Sequence, residues 1–368
     1  MKIIKIMATL NKKNRLLSFD VIRVVALSFA ILCHVGTFFV FTYKDPHTVE
    51  FITGNVFTQI SASIPLFLML TGALFLREEK NFNVEVFLKK SWLPLVVLTI
   101  IWTLFYGLLY GYGLPMLTHQ PVSFDAFINY LLTFDGSYYP HMWYSRMIVG
   151  MYLLIPVLRL FVKKENKNYI KWIIIGTIII QFIPGTLQVF TAGMDVTLKD
   201  FVETFYLQPL TGYVAYFLVG WYVTTFPLSK KLRRILYALG IIAVLISVFS
   251  VQFYYGIIPG IRGYVHSGLD IVNFVWGVSV FVFFLSVLKD KINTNQFAIE
   301  ASNFVYGMYI VHVLFLELFV QVFCPYSTFP IQIPIVYLII TFAFVLILSF
   351  LTVWVTSKTR FKRIFYLK

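Results

Sequence analysis

Ser18–Phe41 reads SFDVIRVVALSFAILCHVGTFFVF, and its reading decides the fold. From Val21 to Phe41 the run is long enough to cross a bilayer as a helix, at about 1.5 Å per residue against about 30 Å of hydrocarbon. Arg23 and His34 interrupt it, and Asp20 stands just before it. Positions 23 and 34 are three helical turns apart with an offset of about 20°, so both side chains share one face, about 16 Å apart along the axis. Asp20 falls one turn before Arg23 on the same side. Ionisable groups inside a membrane helix are costly and mark a functional site by default.

The rest of the composition agrees with a membrane setting. Of 368 residues, 59% are hydrophobic, 19% aromatic and only 12% charged. A soluble domain carries about 25% charged residues, so the expected fold class is an all-α, polytopic membrane helix bundle, not an enzyme with a single anchor. The two cysteines, Cys33 and Cys324, give neither a disulfide framework nor a familiar zinc spacing and read as small core residues. The first span lacks a small-x-small cleavage site, so it is expected to be a retained helix, not a signal peptide.

A window of about 19 residues gives ten spans, near 21–41, 53–76, 92–113, 142–161, 171–190, 204–223, 234–255, 270–288, 304–324 and 332–356. Of the 30 Lys and Arg residues, 25 fall in the N-terminal segment, the alternate connections that follow it, and the tail. The other connections hold only Lys44, Lys199 and Arg262, while Arg23 and Arg146 sit within or at the edge of spans. This asymmetry places both termini in the cytoplasm and favours an even number of spans. Anionic inner-leaflet lipid then accounts for the net charge of +14 without any nucleic acid. The expected organisation is a basic cytoplasmic N-terminus (1–16), a transmembrane domain (17–357) and a basic cytoplasmic tail (358–368) in the cell membrane. Pro65, Pro94, Pro156, Pro184 and Pro209 fall in spans, as kinks or beside a cavity. In the longest external connection Phe124, Phe127, Ile128 and Leu131 recur at helical spacing, which predicts a short interfacial or re-entrant helix.

Three groups of residues suit chemistry. Arg23 at the inner mouth can hold a phosphate, with Asp20 orienting it, while His34 deeper in the helix can act as an acid–base. Lipid-headgroup snorkelling by Arg23 and simple packing by His34 are the alternative. His312 sits mid-span in the ninth helix with Tyr309 one turn before it and Glu317 five residues after, able to bind substrate, shuttle a proton or make an inter-helix hydrogen bond. His141, Trp143, Tyr144, Ser145 and Arg146 open the fourth span from the external face. Arg146 can hold an anionic acceptor such as a lipid pyrophosphate, and Trp143 and Tyr144 serve equally as interfacial anchors. Tyr138 and Tyr139 suit either sugar stacking or the same aromatic belt. No phosphate-binding glycine loop, HExxH or GxSxG pattern occurs, which leaves serine-nucleophile and metal-hydrolase chemistry without support.

Ser18–Gly36 resembles the opening of the membrane-bound acyltransferase-3 family, where an Arg, ten intervening residues and a His mark the first helix; Arg23 and His34 match. Ile64–Leu76 (IPLFLMLTGALFL) is similar to the family's second-helix pattern, His141–Leu158 (HMWYSRMIVGMYLLIPVL) to its "HLWY…GLYLL-P-L" helix, and Tyr306–His312 (YGMYIVH) to its late "YxxYLxH" segment. The resemblance spans almost the whole chain. It implies transfer of an acetyl or other short acyl group from cytoplasmic acyl-CoA, acetyl-CoA above all, to a hydroxyl of a surface polysaccharide or lipid-linked sugar. It also implies that His34 is the essential histidine and that Arg23 supports the donor. Two positions depart from the pattern. An Arg-x-x-Arg element of some relatives is represented only by Arg77 and the Lys89–Lys90 pair, and Ser145 and Arg146 replace apolar residues. Many members carry an appended external domain; the chain ends at Lys368, so it is expected to act alone or with a separate partner.

The expected function is therefore an integral-membrane O-acyltransferase with catalytic His34 and Arg23. The donor side would use Arg23, Asp20, Lys89 and Lys90, and the acceptor side His141, Trp143, Arg146, Tyr309, His312 and Glu317, with no metal. Either His34 takes the hydroxyl proton as the acceptor attacks the thioester, or an acyl-histidine relays the group. A transporter or flippase of lipid-linked sugars and a ligand-binding sensor are the rival classes; paired inverted repeats, the mark of many transporters, are not evident.

Overall fold

The computed structural model describes residues 15–78, 82–117, 123–133, 140–183, 186, 212–254, 269–289, 291–323, 325–360 and 365. Among the positions discussed above, Cys324, Tyr138, Tyr139, Pro184, Lys199, Pro209 and Arg262 lie outside the described residues. So do most of 1–16 and part of the tail.

Among the described residues the elements are helical throughout. In chain order they are α1 (Leu17–Thr42), α2 (Val49–Gln59), α3 (Ser63–Phe75), α4 (Leu93–Leu108), α5 (Phe124–Thr133), α6 (Trp143–Phe161), α7 (Lys167–Thr177), α8 (Val214–Thr225), α9 (Lys230–Tyr254), α10 (Ile271–Val287), α11 (Gln296–Glu317) and α12 (Pro334–Ser357). Wider π-type turns flank α4 at Leu88–Trp92 and Leu109–Gly113, and extend α7 and α11 to Phe182 and Phe323. Among the described residues seven helical stretches are long and apolar enough to cross a membrane, and α8 and α10 are shorter apolar helices. The chain is a multi-pass membrane protein. Its outer helices carry the exposure expected where lipid is the solvent: Leu239, Ile242, Ile246 and Phe249 on α9 and Ile339 and Ile347 on α12 are all exposed.

One expected span is interrupted. The run 53–76 is two helices, α2 and α3, broken at 60–62. Pro65, in the first turn of α3, has no N–H to continue a helix from upstream. The break is satisfied locally: Trp276 Nε1 on α10 donates to the Ile60 carbonyl at 3.0 Å, and Ser61 Oγ donates to Phe57 O at 2.8 Å. The helix expected in the external connection is present as α5. Its inward face carries Phe127 and Tyr130, whose hydroxyl donates to Thr103 O at 2.8 Å, while Phe124 and Ile128 are exposed. The inward stripe is thus shifted from the expected set, because Gly107 on α4 leaves room for the Tyr130 ring.

Glycines set the closest helix approaches. A Cβ on Gly72 of α3 would run into the backbone of Phe217 on α8, and one on Gly220 of α8 into the backbone of Met69 on α3. Membrane helices associate through such small-residue contacts, since lipid removes the hydrophobic drive between them. Gly220→Val is expected to push α3 from α8 and lower the thermal midpoint markedly, whereas Gly150→Val, where a Cβ meets nothing within 4 Å, should leave it nearly unchanged.

Four helices position the site. Moving up α1 from Asp20 to His34 is matched on α11 by moving from Ser302 to His312, so the two helices are parallel. Trp92, Thr99 and Tyr106, on α4 and the turn before it, meet Val149, Ser145 and His141, on α6 and the turn before it, so α6 runs antiparallel to α4. Tyr106 and Tyr110 of the α4 segment reach Ile310 and Glu317, so α4 is parallel to α11.

Candidate active site

The lower part of the site is a hydrogen-bonded knot around Asp20, buried to 1% exposure. Arg15 grips it with both arms, Nε to Oδ2 at 2.7 Å and Nη2 to Oδ1 at 2.6 Å. Asn293 Nδ2 donates to Oδ2 at 2.7 Å and Ser302 Oγ to Oδ1 at 2.7 Å. Arg23 Nη1 reaches Oδ1 and Ser302 Oγ, each at the longer distance of 3.3 Å. Arg15 also donates to Asn303 Oδ1 at 3.0 Å. The chain just before α1 is stitched to the strand-like stretch ahead of α11: Leu17 N–H donates to Lys291 O at 2.8 Å and Asn293 N–H to Arg15 O at 2.7 Å. Asp20 therefore fixes the lower end of the α1–α11 seam and touches Arg23 as the weakest of its partners. A carboxylate so enclosed acts on a ligand only through the two arginines.

Arg15, Asn293, Ser302 and Asn303 were not singled out from the sequence as site residues. Arg15 looked like one more topogenic charge. The others are ordinary polar residues about 280 positions away, and only the parallel packing of α1 on α11 brings them in.

The upper part is a cluster of three imidazoles. His34 on α1, His312 on α11 and His141 in the 3-10 turn Pro140–Met142 that leads into α6 have ring centres 5.1 Å (34–312), 5.7 Å (141–312) and 6.5 Å (34–141) apart. His141 and His312 are buried and His34 is half-buried. Tyrosines enclose them. Tyr106 lies 4.9 Å edge-on from His141 and donates to Ile310 O at 2.6 Å. The Tyr309 hydroxyl donates to His141 O, which locks the turn before α6 onto α11. His141 Nε2 lies 3.3 Å from Ile310 O. His141 and His312, placed on separate motifs in the sequence, thus join His34 at one centre.

Phenol and hydroxyl groups line the seam between the two parts. Tyr306, one turn below Tyr309, pairs with Ser145 at 3.0 Å, and Ser145 with Thr99 at 3.0 Å. Tyr144 packs on Tyr309 at 5.6 Å. Ser145, a departure from the apolar residue of the family pattern, is thereby a fully buried link between α4 and α11.

The remaining candidates are less central. Arg146 is half-buried, and its Nη1 is a buried donor with no hydrogen-bond partner among the described residues. Trp143 packs against Tyr213 and Tyr144. Glu317 accepts from Tyr110 above the imidazoles. Lys89 and Lys90 are exposed, and Lys89 forms a 2.6 Å surface pair with Glu85, a contact of little energetic weight. Arg77 lies over the Phe19 ring at 4.9 Å, beside Asp20 in sequence, and Arg159 donates to the carbonyls of Phe75 and Arg77 that end α3. Cys33 is a half-buried free thiol beside Thr37. Among the described residues no group of three His, Cys, Asp or Glu is placed to hold a metal ion.

A multi-pass helix bundle that gathers three imidazoles on its α1–α11 seam defines the class: a helical membrane protein with a histidine cluster inside its bundle. Residues 16–354 match the family model described as an acyltransferase domain, nearly the whole chain, and the protein belongs to the acyltransferase-3 family. No curated protein and no solved structure matches it.

Proposed function

We propose that the protein is an O-acyltransferase that moves an acetyl or other short acyl group from acyl-CoA in the cytoplasm to a hydroxyl of a cell-surface polysaccharide or lipid-linked sugar. The observation that carries this reading is the convergence of His34, His141 and His312 on the same α1–α11 seam that holds Arg23 at its lower end. Arg23, about 16 Å below His34 by helical rise, suits the phosphates of a donor, and the slender arm of an acyl-CoA suits the distance to the imidazoles. Lys89 and Lys90 would add only long-range attraction for that donor. Arg146, in the first turn of α6 below His141, has a guanidinium nitrogen with no hydrogen-bond partner among the described residues and suits an acidic group of the acceptor, with Trp143 one turn above it.

In the reaction the acceptor hydroxyl attacks the thioester carbon while His34 takes its proton. The C–S bond then breaks, and the thiolate of CoA recovers the proton from His34. Asp20 serves by holding the two arginines, and Tyr309 by fixing the turn that carries His141.

The same reading places both termini in the cytoplasm and the chain in the cell membrane. The parallel course of α1 and α11 requires an odd number of crossings between them. Between α1 and α11 the described residues supply four long spans and the shorter α8 and α10; this reading takes α7 with its extension to Phe182 as a further crossing, for ten in all with α1, α11 and α12.

The direct test incubates the purified protein with labelled acetyl-CoA and surface glycan. Label on the glycan supports the proposal. No label with any acceptor, alongside measurable movement of lipid-linked glycan across vesicles, would replace it with transport.

A further inference from the structure

His312 is 0% exposed. Its Nδ1 faces the carbonyl oxygen of Tyr309, one turn back on α11. A carbonyl only accepts, so Nδ1 carries the hydrogen, and in the uncharged ring the lone pair is left on Nε2. That Nε2 is buried and has no hydrogen-bond partner among the described residues. Buried polar atoms are almost always satisfied, and an exception asks for a reason. The ring centre of His34 is 5.1 Å away. Two imidazoles joined by a direct N–H···N bond have centres about 5 Å apart, since each nitrogen lies about 1.1 Å from its ring centre and the bond spans about 3 Å. The distance for such a bond is thus already present, and only a turn of the His34 ring separates the two states.

We infer that His312 is the positioning residue for His34: its Nε2 accepts the N–H of His34, which fixes the His34 tautomer and turns the other nitrogen's lone pair to the acceptor hydroxyl. This rests on the proposal that His34 is the acid–base. When His34 takes the hydroxyl proton, its second N–H stays on the ring and its bond to His312 steadies the imidazolium. The proton then passes from His34 to the departing thiolate, so His312 gains and loses none. The Tyr309 carbonyl, through Nδ1–H, is what keeps Nε2 an acceptor. A metal ligand is held to one tautomer in the same way by the partner of its other nitrogen; here the held group is a second imidazole.

Two side chains separate this role from simple packing. In His312→Gln the amide oxygen can occupy the place of Nε2 and still accept from His34. In His312→Asn the shorter amide matches only the Nδ1 side, toward Tyr309 O. With acetyl-CoA as the varied donor, H312Q is expected to keep turnover within about tenfold of the parent, and H312N to lose a further tenfold or more, with KM for acetyl-CoA unchanged in both. Equal turnover in the two variants, or a loss carried by KM, would overturn the role.

The second measurement needs no activity. Histidine-labelled protein in lipid nanodiscs is examined by nitrogen-15 NMR, with His312 assigned by its disappearance in H312Q. A protonated Nδ1 with a bare Nε2 is expected; a protonated Nε2 would sink the inference and leave the acyl-transfer proposal standing. Conversely, a parent protein that never transfers label fails the functional proposal, whatever tautomer His312 holds.

Discussion

Replacing His34 with alanine is expected to reduce acyl transfer by about 10²–10⁴-fold, the range that a positioned acid–base supplies. The fold should survive. The apolar contacts of α1 are made by Leu27, Ile31, Val35 and Phe39, all buried in one cluster with α11 and α12 residues, and His34 is itself only half-buried. The loss should therefore fall on turnover, with donor binding at Arg23 preserved because that group is held from Ser302 and Asp20. Turnover of labelled acetyl-CoA and the thermal midpoint, measured on the same preparation, check both halves. Full activity in H34A would remove His34 from the mechanism.

Asp20→Ala should be the most destabilising of the polar substitutions. Four side chains donate to the Asp20 carboxylate, namely Arg15, Arg23, Asn293 and Ser302. Removing it leaves two guanidinium groups facing each other with no counter-charge. Breaking a buried pair by deleting one partner costs about 3–5 kcal/mol, enough to lower the thermal midpoint by several degrees or to prevent accumulation of the folded protein. Asp20→Asn keeps the shape but presents an amide to an array of donors, and should cost nearly as much. Lys89→Ala breaks an exposed pair worth at most about 1 kcal/mol and should leave stability unaltered. Similar melting of D20A and K89A would show that the knot does not hold the lower seam.

The first helix was the most legible part of the molecule. Its length, and the placement of Asp20, Arg23 and His34 on one face, follow from helical geometry, and the three meet α11 as a single stripe. The helix α5 was readable as a helix from its period, but not in its inward face, since Tyr130 is buried while Phe124 and Ile128 are exposed. What the sequence hid was mostly partnership at long range. Arg15 is indistinguishable from its basic neighbours until α1 lies beside α11, and nothing local marks Asn293 or Ser302 as ligands of Asp20. His141 reads from the sequence as an acceptor-side residue, apart from His34, because the turn Pro140–Met142, which sets its ring beside His34 and His312, has no signature of its own. The break at 60–62 was averaged away by a window of about 19 residues, although the polar run Thr58–Ser63 (TQISAS) and Pro65 were visible. Close glycine contacts such as Gly72 on Phe217 depend on which helices meet, and one helix's composition cannot report that.

In the proposed mechanism one seam through the bundle joins a donor held at Arg23 to an acceptor hydroxyl at the imidazoles. Reconstituted vesicles with the protein in one orientation test it most directly, with labelled acetyl-CoA confined to the Arg23 side and glycan acceptor confined to the other. Labelled glycan is expected on the far side, lost in H34A and strongly reduced in Arg23→Met. Label appearing only when donor and acceptor share one compartment would contradict it.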